Sequence, residues 1–175
     1  GNTALRKMNY AIAVQEYQEF LSIHVKNRRA PQVFYNLSDS YRWLNQDSKA
    51  EKTALKGLEM TKGTHQKKFH YYLARLYIEK KRFKEAVQEL SYLDKLRSKS
   101  LPSGVTKEEI QYFKGVSLTH LGQNEKAQAA FRSGSEGRLN YFGHLCRDQL
   151  ISTPKNISEK TLKIRFVTIP SNHHT

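Results

Sequence analysis

The chain has 175 residues and a mass of 20.4 kDa, a length that suits one domain able to bury a sizeable core without disulfides or metal. Thirty Lys and Arg against 16 Asp and Glu leave a formal charge of +14 and a pI near 9.9, a bias toward acidic partners that does not by itself name one. A lone cysteine, Cys146, excludes an intramolecular disulfide, no Cys/His pairs stand at zinc spacing, and the apolar runs are too short to span a membrane. Gly1-Asn2-Thr3-Ala4-Leu5 carry neither an initiating Met nor the apolar core of a signal peptide. A soluble protein is therefore expected, cytoplasmic ahead of the bacterial periplasm, with the compartment otherwise open.

In chain order, residues 1–8 read as the latter half of one helix and about 10–24 as the next, so the chain is expected to start inside a repeat. Three helix pairs follow, at 31–44 with 47–60, 66–80 with 83–97, and 107–121 with 124–134. Ala13, Ala50, Ala86 and Ala127 recur 37, 36 and 41 residues apart, about one helix pair per interval. The first helix of each pair sets a small residue three before a large one: Ser38 and Tyr41, Ala74 and Tyr77, Gly115 and Leu118. That spacing puts both on one helical face, where the small residue admits a neighbouring helix and the large one fills the space beside it. Arg97 to Gly104 is a Ser/Pro/Gly loop, and Thr106 with Glu109 forms a capping box for the next helix. Leu139, Phe142, Leu145, Cys146 and Leu150 share one face of a terminal helix that closes the apolar end of the stack, and Pro154 stops it. Residues 162–169 alternate like a strand; they belong to a following domain, lie extended against a helix, or are disordered. The expected division is 1–153 for the helical stack and 154–175 for the tail or the start of another domain.

These residues resemble the tetratricopeptide repeat family, most closely in Leu121-Gly122-Gln123-Asn124-Glu125-Lys126-Ala127 followed by Phe131, and the resemblance covers about residues 1–135. It implies an all-α, right-handed α-solenoid of about three full helix pairs, with a partial first repeat, a capping helix and a short extended C-terminal tail. It also implies that the first helix of each pair lines a concave groove for an extended peptide or partner helix. By repeat phase the groove takes Gln32, Tyr35, Asn36, Asp39, Arg42 and Trp43, then Lys68, Tyr71, Tyr72, Arg75 and Glu79, then Glu109, Tyr112, Phe113, Val116 and His120. Tyr35, Tyr71 and Tyr112 are equivalent and would form an aromatic ladder. A subset of the family grips a terminal carboxylate; Asn2, Asn36 and Lys68 match that pattern, but Tyr72 stands where its Arg belongs.

The seven histidines are scattered, Cys146 sits on an apolar face, and no phosphate loop, nucleophile elbow or carboxylate pair is legible. The expectation is a non-catalytic scaffold without metal or cofactor that binds another protein or peptide, with an acidic one favoured by charge. The alternative is single-stranded nucleic acid binding through basic clusters at the turns, which are expected to be split between two edges. The helix at 1–8 is expected to cover only part of the apolar face of the helix at 10–24, which would promote weak self-association.

Overall fold

The helical spacing of apolar residues is realised throughout. A computed structural model describes residues 2–151, which form eight α-helices and no strand: α1 (Asn2–His24), α2 (Ala30–Trp43), α3 (Asp47–Glu59), α4 (Thr64–Glu79), α5 (Phe83–Asp94), α6 (Lys107–His120), α7 (Asn124–Ser135) and α8 (Tyr141–Ile151). None of these helices is long and apolar enough to cross a membrane. Helix boundaries from α2 onward agree with the sequence reading to within about three residues, and the loop before α6 contains one turn of 3₁₀ helix at Ser98–Ser100. The tail, with its expected strand at 162–169, lies outside the described residues.

One expectation is corrected. Residues 1–8 and 10–24 are not two helices; α1 runs unbroken from Asn2 to His24. Lys7-Met8-Asn9-Tyr10 contains neither Gly nor Pro, and a single Asn costs well under about 1 kcal/mol inside a helix, too little to break one.

Three of the connections share one backbone geometry. Asn45, Lys81 and Gly122 follow the first helix of each pair with φ of 58°, 57° and 72°, the left-handed residue of a Schellman C-cap. In each, the next amide reaches back five residues: Gln46 N donates to Tyr41 O (2.9 Å), Arg82 N to Tyr77 O (2.8 Å) and Gln123 N to Leu118 O (2.9 Å). The three acceptors are the large residues of the small-large pattern, so the residue that fills the packing also closes the helix.

The chain divides into two compact units, Gly1–Leu73 and Ala74–Thr175, with α4 contributing to both. In the first, α1 packs on α2 and α2 on α3. Leu37, Tyr41 and Ala50 form a buried cluster against which Val14, Tyr17 and Leu21 of α1 pack. Gly57 admits the ring of Phe69 beside the Cβ of Phe34, and an added Cβ there would strike Phe69. Ser38 is fully buried; its hydroxyl donates to Phe34 O (2.8 Å), and its own carbonyl accepts from the Tyr72 hydroxyl (2.8 Å).

In the second unit, α5 to α8 pack in sequence order and α6 also touches α8. Thr106 caps α6 as expected, its hydroxyl accepting from Glu109 N at 3.2 Å. Asp94 ties α5 to α6: it accepts from Gln111 Nε2 (2.6 Å) and Lys114 Nζ (2.9 Å), and its carbonyl accepts from Lys107. At the α7–α8 turn the buried Glu108 carboxylate accepts from Arg138 N (2.7 Å) and Asn140 Nδ2 (3.1 Å). Burial acts to raise that carboxyl's pKa, but the hydrogen bonds to Glu108's own amide, Arg138, Asn140 and Thr106 prevail and hold it below the usual value. Cys146 is fully buried, and burial pushes its thiol up to about 12, so it is a packing residue without thiolate character.

Candidate functional site

Positions 32, 35, 36, 39, 42 and 43 of α2 recur at helical spacing and so share a side of the helix. Gln32 Nε2 donates to Asn36 Oδ1 at 2.8 Å, and Arg42 donates to Asp39 Oδ1 from Nε (3.2 Å) and Nη2 (3.0 Å). These bonds organise a polar row along the helix. The Trp43 indole at its end is 39% exposed, stacks on Tyr10 of α1 at 5.6 Å between centroids with a 3° interplanar angle, and lies under the Arg42 guanidinium at 5.0 Å. Burial raises the Tyr10 phenol, with the Asp39 carboxylate adding to the effect and Arg42 and Arg6 opposing it. A flat aromatic pair backed by a cation, beside a row of amide and carboxylate groups, can hold a polypeptide by apolar contact and hydrogen bonding together.

The expected groove residues differ in exposure. Tyr35 is half-buried, its ring edge-on to Tyr72 (5.5 Å) and Phe69 (6.0 Å). Tyr71 and Tyr72 are buried, as are Tyr112 and Val116 in the second unit. Tyr112 packs against Phe113 (5.5 Å), Phe142 (5.8 Å) and Phe131 (6.3 Å), and its hydroxyl has no hydrogen-bond partner among the described residues. Tyr71 and Tyr112 are therefore packing residues rather than rungs of an open ladder, and equivalent repeat positions do not give equivalent exposure, since Tyr35 stays half-buried with aromatic partners of its own. Asn36, Asp39, Lys68 and Arg75 remain half-buried. Tyr10 went unnoticed in the sequence because the supposed helix break removed the long α1 that carries it to Trp43.

A second surface lies at the opposite end of α2. The 25–29 turn leads from α1 into α2, with Asn27 N donating to His24 O and Ala30 N to Asn27 O (both 2.9 Å). The contacts of Gly57 with Phe34 and Phe69, and Lys56 Nζ 5.9 Å above the Phe34 ring, place the end of α3 and the start of α4 beside it. Lys26, Arg28, Arg29, Lys56, Lys62, Lys67 and Lys68 thus gather at one end of the first unit. Both connections run between helix pairs and emerge on the same side, while Lys80, Lys81, Arg82 and Lys84 fall at the turn within a pair. Burial lowers the pKa of His65 at this end, and Lys68 adds to the effect.

Comparison with protein-family models and with curated proteins gave no match.

Proposed function

We propose that this chain is a helical-repeat scaffold of the tetratricopeptide kind, a right-handed solenoid of about three full helix pairs, that binds a partner polypeptide and performs no catalysis of its own. The thrice-repeated Schellman turn with its Tyr/Tyr/Leu acceptor supports the repeat reading. The α2 surface carries the binding reading: the exposed Trp43 stacked on the half-buried Tyr10 under Arg42, beside Gln32, Asn36 and Asp39. An extended segment or short helix with one apolar anchor fits it, with the anchor on the aromatic pair and backbone amides on the polar row. Stacking of nucleobases on the tyrosine ladder is disfavoured by the burial of Tyr71 and Tyr112.

Trp43 is the sole tryptophan, so its fluorescence reports directly on this surface. Peptides selected from a displayed library against the folded chain should shift Trp43 emission in a saturable titration. Tyr10→Ala should weaken binding by about 1 kcal/mol or more, as expected for an aromatic anchor contact. Selected peptides that bind tightly but leave both Trp43 emission and the Tyr10→Ala affinity unchanged would place the site elsewhere.

A further inference from the structure

Independently of the polypeptide site, the basic end of the first unit carries an inference of its own. Residues 22–33 and 55–68, which contain the two connections there, hold Lys26, Arg28, Arg29, Lys56, Lys62, Lys67 and Lys68 against one carboxylate, Glu59. The chain-wide ratio of cations to carboxylates is 30 to 16, so the bias is local. None of the seven cations has an ion pair among the described residues. Contrast Arg82 at the α4–α5 turn, which pairs with Glu85 (2.9 Å) and lies over the Tyr77 ring (4.6 Å). The same two segments carry exposed apolar side chains: Ile23 in the last turn of α1, 69% exposed, Met60, the C-cap of α3, 45% exposed, and Leu55, 37% exposed.

We propose that this end docks the protein onto an anionic lipid bilayer, with the cations at the phosphate level and Ile23 and Met60 entering the headgroup boundary. Exposed aliphatic side chains distinguish this ligand from a nucleic-acid backbone, against which Ile23 and Met60 would gain little. An acidic peptide would form exposed ion pairs one at a time, each weak and screened. A bilayer presents its charge as a plane that all the cations address at once, and it accepts aliphatic side chains at headgroup depth. Trp43 lies at the far end of α2 from Arg29, so docking here leaves the Trp43–Tyr10 stack free.

The test is co-sedimentation of the full chain with vesicles of about 30 mol% phosphatidylserine in phosphatidylcholine, compared with phosphatidylcholine alone and across a salt series. The expected result is binding to the anionic vesicles only, weakening as salt rises, without a change in Trp43 emission. Arg28→Gln with Arg29→Gln should lower the partition about twenty-fivefold, about fivefold per cation removed. Lys62→Gln with Lys67→Gln gives a second pair should the first perturb folding, and circular dichroism confirms helicity in each. Ile23→Ser with Met60→Ser should lower the partition by at least about fivefold at constant charge. Failure to bind anionic vesicles overturns the proposal. So does vesicle binding indifferent to Ile23→Ser with Met60→Ser. Tighter binding to a thymidine oligonucleotide or to polyglutamate than to vesicles, with the same indifference, reassigns the surface to that polyanion.

Discussion

Gly115→Ala sets two effects of known sign against each other. In the interior of α6, replacing Gly by Ala favours the helix by about 1 kcal/mol, because Gly loses more backbone freedom on folding. A Cβ at residue 115, however, would lie 2.5, 2.7 and 2.8 Å from Cε1, Cδ1 and Cζ of Phe131, consecutive atoms along one edge of a rigid ring. Phe131 is 1% exposed and packed against Tyr112, so the ring has no open side into which to retreat. Overpacking of this kind costs about 1–3 kcal/mol, and the net expectation is a loss of up to about 2 kcal/mol. Urea unfolding followed by far-ultraviolet circular dichroism should show a lower midpoint with an unchanged slope. Phe131→Leu in the Gly115→Ala background should be less costly than in the wild type, a positive coupling in a double-mutant cycle. A Gly115→Ala protein that gains about 1 kcal/mol would show that the ring moves aside freely, and the close approach of α6 and α7 would not be what requires glycine.

At the repeated turn, Lys81→Gly should stabilise by up to about 1 kcal/mol by relieving left-handed strain, whereas Gly122→Ala, with open space around it, should destabilise by a similar amount; thermal melts of both test the shared geometry. Tyr112→Phe should raise stability by about 1 kcal/mol, since it removes a buried hydroxyl without a partner while leaving the ring in place, and a loss of stability would reveal a hydrogen bond there. Glu108→Gln should cost about 1–2 kcal/mol at neutral pH by weakening the bonds to Arg138 N and Asn140. Because the folded carboxyl titrates below its unfolded value, its contribution is full above pH about 4.3 and is lost as pH falls through the lower folded value, so the two proteins should converge in acid unfolding. Leu5, Met8 and Ile12 lie on one face of α1 and are 55%, 55% and 46% exposed; sedimentation should show weak, concentration-dependent association that Met8→Glu with Ile12→Glu abolishes, and strictly monomeric behaviour at high concentration would count against it.

The sequence by itself determined what depends on short-range geometry. Ala50, Ala86 and Ala127 marked the second helices, and all three are buried at 0%, 0% and 1% exposure. The Ser38/Tyr41 spacing and its two counterparts marked the first helices, and Thr106 marked the start of α6. These signals are local, because helix phase, capping and a three-residue spacing involve atoms that the chain holds near one another whatever the rest does. Tertiary structure decided what depends on partners distant in sequence. Tyr10 meets Trp43 only because α1 continues unbroken alongside α2. Tyr35 and Tyr112 occupy matching phases, yet Tyr112 is enclosed by Phe131 and Phe142 while Tyr35 stays half-buried. Exposure and charge density are sums over neighbours from several helices, and a one-dimensional pattern carries the residue types in those sums without saying which neighbours supply them.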